Sequence, residues 1–206
     1  MVQNTLFSRR GVILSAGACA LAPIAAYADQ PAETFISGVL TEANAFIGGN
    51  EQARLDGIAR LVDKYVDMRR ISRFALGQYA RQITDAQRAE YEPLFRRYAK
   101  LVYQQALTTY SGQPLEVTGS IDRSARDIIV RSKVIAAAGS EFANLEVLWR
   151  VYRARDGAMS VIDAGANGIW LAIEQQSQFK SIIANNGGGT TGIDALIREI
   201  KAQLDR

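Results

Sequence analysis

The sequence predicts an α+β domain in which an antiparallel sheet of about four strands packs against helices. Two observations predict this class. In the first half of the chain, apolar residues recur every three or four positions, which is the period of one helix face. From Leu115 to Asp163 the period shortens to two, as in strands with one buried face, and two more helical segments follow. This order favours a hydrophobic pocket between the curved sheet and its helices.

The boundaries of the N-terminal helical part are predicted from residues that begin or end helices. Gly48-Gly49 ends the first helix, and the third helix ends near Gly77. Pro93 lies inside the fourth helix, which runs to about Tyr110, and predicts either a kink or a break. The predicted starting residues of the four helices are Pro31, Asn50, Asp67 and Thr84.

Four segments rich in β-forming residues follow the helical part. They lie at 115–121, 128–135, 145–152 and 159–163, and Asp156-Gly157 is a hairpin signal between the last two. After the strands, helices are predicted over 170–184 and 193–204, with the loop 185–189 between them.

The first 28 residues are predicted to form a signal peptide. Arg9 and Arg10 precede an apolar run over 11–22, and Ala26-Tyr27-Ala28 fits an A-x-A cleavage site. The apolar run is too short to cross a bilayer. We therefore expect export, cleavage after Ala28 and a single domain over 29–206. The arginine pair also resembles a twin-arginine signal, although ordinary secretory signals carry two arginines too.

Composition argues against several classes of function. The chain has no histidine, and its one cysteine, Cys19, lies in the predicted signal peptide, so the usual transition-metal ligands are missing from the mature domain. The alternative that Cys19 is lipidated lacks the expected preceding leucine. Without Arg9 and Arg10 the net charge is near +1, and no basic cluster interleaves with aromatics, which argues against nucleic acid. No phosphate-cradling or nucleophile motif is present, so we predict a binding protein without metal or cofactor rather than an enzyme.

Short motifs recur in a fixed order over nearly the whole predicted mature chain. They are Tyr65-Val66-Asp67-Met68, Leu76-Gly77-Gln78-Tyr79, Thr84-Asp85-Ala86-Gln87-Arg88, Phe95, Tyr98, Tyr103-Gln104-Gln105-Ala106-Leu107, Tyr110, Ile162-Asp163, Asn167-Gly168-Ile169-Trp170-Leu171, Gln178-Phe179 and Gly192-Ile193-Asp194-Ala195-Leu196. This ordered set resembles the toluene-tolerance family, which is also the MlaC family. The chain departs from the family pattern at Met159-Ser160, where a Trp is usual, at 174–177, where a basic residue is missing, and in a longer loop at 187–191.

This resemblance implies a periplasmic phospholipid-binding protein whose acyl-chain pocket lies between sheet and helices. Members of the family shuttle phospholipid between an outer-membrane lipoprotein complex and an inner-membrane ABC transporter complex, and they use no nucleotide themselves. We accordingly expect a phospholipid ligand and those two complexes as partners, with no cofactor, no nucleic acid and no stable membrane insertion. Because some members are associated with hopanoid-related genes, a hopanoid cargo is an alternative.

The candidate lipid-binding residues are apolar or aromatic side chains on the inward faces of the predicted elements. Tyrosines suit this role because the hydroxyl can stay at a wet pocket mouth while the ring lines the wall. Residues at these spacings also build ordinary core, and that alternative applies to each of them. The candidates are Leu76, Tyr79, Phe95, Tyr98, Leu101 and Tyr103 from the helices, and Val147, Trp149, Val151, Ile162, Ile169 and Trp170 from the sheet side.

Two other functions are compatible with the sequence. An enzyme on a similar fold would use Asp163 or Glu174 as an acid or base in an apolar pocket, and finding Asp163 buried beside another titratable group would favour it. A non-lipid periplasmic adaptor would fill its core completely and bind only proteins.

Two helices carry basic faces. Each face would dock an acidic partner or an anionic membrane, or would simply be solvated, which is the commoner case. The two faces are Arg69, Arg70 and Arg73 on the third helix and Arg96, Arg97 and Lys100 on the fourth.

Overall fold

The computed structural model describes residues 29–108, 113–136, 139–140, 142–143 and 145–205. The predicted signal peptide lies outside these residues. The α+β class is confirmed, but the sheet has five strands instead of about four. The elements are α1 (Gln30–Ile47), α2 (Glu51–Tyr65), α3 (Met68–Ala75), a 3-10 helix (Gly77–Arg81), α4 (Asp85–Thr108), β1 (Leu115–Ser124), β2 (Asp127–Val134), β3 (Glu146–Arg153), β4 (Met159–Ala166), β5 (Ile169–Trp170), α5 (Leu171–Asn185) and α6 (Gly189–Leu204).

Side-chain caps define the starts of the N-terminal helices. Asn50 and Asp67 each accept a backbone N–H three residues ahead, at 2.9 Å, as predicted. Thr84 and Gln87 form the reciprocal capping box, with distances of 3.1 and 3.2 Å. The helix that follows is continuous across Pro93, so this proline does not separate two helices.

The strands form an antiparallel meander in the order β1-β2-β3-β4-β5. The fifth strand was not predicted, because Trp170 was assigned to the following helix. Asn167 and Gly168, with φ of 52° and 80°, form the two-residue turn that folds Ile169 and Trp170 back onto β4. This is the Asn-Gly hairpin signal, since both central residues of such a turn need a positive φ.

The last helix begins earlier than predicted. It starts at Gly189 instead of near Ile193, because the three glycines 187–189 all take a positive φ and turn the chain within a short distance. The turn brings Gly192 so close to α5 that a Cβ there would lie 2.3 Å from the carbonyl oxygen of Ile183.

Two groups of buried side chains hold the fold together. Val66, at the end of α2, packs against both, and it also forms a parallel bridge with Val161 of β4. The sheet cluster lies between α1 and the sheet and consists of Ala32, Ile36, Leu40, Ile128, Val130, Val151 and Val161. The helical cluster consists of Ile58, Val62, Met68, Ile71, Ala75, Leu76, Tyr79, Ile83, Tyr91, Phe95, Tyr98, Ala99, Ala172, Phe179, Ile183, Ile193, Leu196, Ile197 and Ile200.

Candidate functional site

Four of the candidate lining residues belong to the helical cluster. They are Leu76, Tyr79, Phe95 and Tyr98, and all four are buried. Phe179 of α5 lies at the centre of the aromatic part, with ring centroids 6.0 Å from Phe95 and 5.8 Å from Tyr98. The Phe95 ring meets Phe179 edge-on, at 85°, and the Tyr98 ring is tilted by 42° against it, and such aromatic contacts add to the energy of burial. A ligand that touches these side chains would therefore reach the core of the domain.

On the sheet side, three candidates share one face of β3. Val147, Trp149 and Val151 alternate along the strand, and Val151 is fully buried in the sheet cluster while the other two are half-buried. The indole N–H of Trp149 donates to Ser132 Oγ at 2.9 Å, and that hydroxyl donates to the Val147 carbonyl at 3.0 Å. Because its only polar atom is bonded within the sheet, the ring of Trp149 offers an apolar surface.

The last part of α4 supplies the two remaining helical candidates. Leu101 and Tyr103 are half-buried, and Tyr103 packs against the helical cluster. Its hydroxyl makes no hydrogen bond to a described residue. Burial, with a smaller contribution from the negative charge of Asp163, raises the pKa of Tyr103 to about 12. Tyr103 thus remains a neutral hydrogen-bond donor near β4.

Asp163 of β4 joins the sheet to α5. Its Oδ1 accepts the backbone N–H groups of Ala164 and Ala172, both at 2.9 Å, and so caps the N-terminus of α5. Burial raises the pKa of Asp163, although these bonds and the nearby Arg150 act in the opposite direction. Arg150 itself binds Asp127 through two 2.9 Å hydrogen bonds.

The surroundings of Asp163 bear on the enzyme alternative. Asp163 is buried and has two titratable neighbours, Tyr103 and Arg150, which is the arrangement that would favour catalysis. However, its carboxylate is already used to bond the first turn of α5. This geometry gives Asp163 a structural role at the junction of sheet and helix.

The other three candidates lie on β4 and β5, the last two strands in the sheet order. Ile162 is half-buried and lies at a bulge in β4. Arg150 pairs with Asp163 and the next residue, Val151, pairs with Val161, so Ile162 has no partner on β3. Trp170 is half-buried and is the last residue of β5, directly before α5, whereas Ile169 is 59% exposed and lies outside both clusters.

Sequence reasoning left out two residues that the structure places among the candidates. Phe179 is the hub of the aromatic contacts, and Ser132 bonds Trp149 and Val147. The helical period marks Phe179 as inward-facing, but its ring partners come from α4, far away in the chain. For Ser132, the only signal in the sequence was its position on the buried face of β2, between the apolar residues Val130 and Val134.

Two open grooves, each of about 590 Å³, are lined by residues other than the twelve candidates. One is bordered by Asp29, Asp122 and Arg153, and the other by arginines of α3 and the 3-10 helix. Within the described ranges, no helix has both the length and the hydropathy needed to cross a membrane. The same residues contain no cluster of three or more side chains suited to hold a metal ion.

The model of the MlaC protein family matches residues 33–202. Among solved structures, the phospholipid-binding protein from Ralstonia solanacearum in complex with a phospholipid is similar, with a TM-score of 0.67 and 23% sequence identity. The similarity covers 85% of this chain and 99% of that chain. At this level of identity, the likeness shows that the two chains share a fold.

Proposed function

This chain belongs to the MlaC protein family, and we propose that it is a periplasmic carrier that binds a phospholipid by its acyl chains. The observation that carries the proposal is a set of half-buried apolar side chains that neither hydrophobic cluster contains. Leu101 of α4, Val147 of β3 and Ile162 of β4 are such residues among those described. The similar phospholipid-binding protein supports the same class of ligand.

Binding at such a site lowers the free energy of acyl chains because it removes their methylene groups from water. At about 0.8 kcal/mol per methylene, two chains of roughly 16 carbons contribute on the order of 20 kcal/mol before the costs of binding. A bilayer offers the same chains a similar environment, so exchange between carrier and membrane stays near balance. A passive carrier therefore suits this chemistry, and partner proteins would set the direction of transfer.

The proposal also includes a route and two partners. Residues 1–28 direct export and are removed, which leaves one lipid-binding domain over 29–206. This domain then exchanges phospholipid between an outer-membrane lipoprotein complex and an inner-membrane ABC transporter complex. The polar headgroup stays in water at the pocket mouth, so the site needs few charged contacts with it.

The first test is native mass spectrometry of protein purified from a periplasmic fraction without detergent, followed by organic extraction. We expect a bound phospholipid at about one per protein, a ratio that follows from one acyl-chain pocket in a single domain. A hopanoid in its place would keep the carrier mechanism and change the cargo. A protein that is purified empty, and stays empty after incubation with labelled liposomes, would contradict the proposal and favour the adaptor.

A matched pair of variants tests where the lipid binds. Val147→Trp adds a large ring beside Trp149 on the inner face of β3, and Ile173→Trp makes a comparable change at a position 50% exposed on α5. We expect Val147→Trp to lower lipid occupancy several-fold while Ile173→Trp keeps it, with both proteins folded by circular dichroism. Equal occupancy in the two variants would place the ligand elsewhere.

A further inference from the structure

An open groove of about 590 Å³ lies between α3 and the 3-10 helix, and none of the twelve lipid-binding candidates lines it. Arg70, Arg73 and Arg81 border it, together with Phe74 and Gly77. Phe74 is 38% exposed and is one of the few large apolar side chains at the surface of the described residues. The groove therefore combines three guanidinium groups with an aromatic ring.

One of these arginines is held in a fixed position. Arg70 Nε lies 3.3 Å from Asp67 Oδ2, and its guanidinium carbon lies 3.6 Å from the ring centroid of Tyr152 on β3. Stacking on an aromatic face orients the planar guanidinium group and leaves its edge free for hydrogen bonds. A cation fixed in this way loses little conformational entropy when it binds a carboxylate.

The other cations of the groove have no counter-charge of their own. Neither Arg73 nor Arg81 forms an ion pair with a described residue, and the same holds for Lys180, whose side chain packs against Gly77. The second basic face, on α4, differs, because Arg96 and Lys100 both pair with Asp63, at 3.5 and 2.6 Å.

From these features we propose that the groove is a docking site for an acidic segment of a partner protein, one that carries an apolar residue among its carboxylates. Guanidinium groups match carboxylates in shape and charge, and Phe74 offers a contact for the apolar residue. The side-chain amide of Gln176 donates to the Phe74 carbonyl at 2.7 Å, which ties this end of α3 to α5. A concave site with an oriented Arg70 suits an inserted peptide better than a flat bilayer surface.

The test uses the whole protein and a random 12-residue peptide library. Peptides are selected on the wild-type protein and counter-selected on the Arg73→Glu/Arg81→Glu variant. We expect enrichment of peptides with several acidic residues and one aromatic or aliphatic residue. Their affinity should fall about tenfold or more in the groove variant, since each reversed charge removes an attraction and adds a repulsion.

The matched control is Arg126→Glu/Arg155→Glu, which makes the same change of net charge at exposed positions in the sheet turns. It should bind the selected peptides within about twofold of wild type. All variants should keep their bound lipid, so failure here is distinguishable from failure of the carrier proposal. No enrichment of acidic peptides, or an equal loss in both double variants, would overturn the inference. It would also be overturned if phosphatidylglycerol vesicles, and not peptides, bound in a groove-dependent way.

Discussion

Asp163 connects the sheet to α5, and its replacement by alanine should weaken that junction. Asp163→Ala removes two 2.9 Å hydrogen bonds and leaves the N–H of Ala172, a residue only 3% exposed, without its acceptor. At about 1 kcal/mol for each bond, the free energy of unfolding should fall by about 2 kcal/mol. For a domain of this size, that corresponds to a fall in Tm of roughly 4 to 8 °C.

Asp163→Asn separates the hydrogen bonds from the charge, because it keeps an oxygen acceptor at the same position. We expect it to cost less than the alanine variant, at about 1 kcal/mol or below. Burial raises the pKa of Asp163 in the folded protein above its ordinary value of 3.8. The stabilisation from this raised pKa is complete below pH 3.8 and is lost as the pH rises through the folded-state pKa. Wild type should therefore lose stability relative to Asp163→Asn as the pH rises from below 3.8 through the folded-state pKa of Asp163.

Urea denaturation of the purified protein, followed by circular dichroism across this pH range, measures both effects. Glu174→Ala is the control, because Glu174 is an exposed carboxylate on α5, the helix that Asp163 caps, and it should change stability by less than about 0.5 kcal/mol. The reasoning is refuted if Asp163→Ala unfolds like wild type. It is also refuted if wild type gains stability relative to Asp163→Asn as the pH rises.

Two further predictions use the same denaturation assay. Gly192→Ala would place a Cβ 2.3 Å from the Ile183 carbonyl oxygen, so α5 and α6 must separate and about 3 kcal/mol should be lost. Gly38→Ala, in α1 with no atom within 4 Å of the new Cβ, should instead gain about 1 kcal/mol of helix propensity, and equal effects at the two glycines would contradict the packing argument. Tyr91→Phe removes the 2.9 Å bond from a buried hydroxyl to the Ser72 carbonyl and should cost about 1 kcal/mol, and no measurable change would mean that this carbonyl finds another donor.

Much of the helical architecture could be predicted because its signals are local. Asn50 and Asp67 cap helices through bonds to residues three positions ahead, and such bonds need no information about the rest of the fold. The family assignment was also confirmed, by the match over residues 33–202. It could be made from the sequence because its motifs are short and keep their order along the chain. The β4–β5 hairpin was predictable in principle from Asn167-Gly168, but a two-residue strand gives no periodicity to detect.

The lining of the proposed site could not be resolved in the same way. Periodicity marks Phe95 and Val147 alike as inward-facing, yet Phe95 is 1% exposed in the helical cluster and Val147 is half-buried outside both clusters. The distance between the packed sheet and helices decides which inward side chains fill the core. It also decides which of them leave apolar surface for a ligand. Whether each of the twelve candidates touches lipid is still a prediction.

The sequence by itself therefore determined the α+β class, the starts of α2, α3 and α4, and the family, because each follows from spacing or from contacts between near neighbours in the chain. Only the tertiary structure decided which charges are neutralised and which are not. Asp163 meets the first turn of α5, Arg70 stacks on Tyr152, and Lys100 reaches Asp63 on another helix. These contacts join residues from distant parts of the chain, and a one-dimensional pattern carries no distances between them.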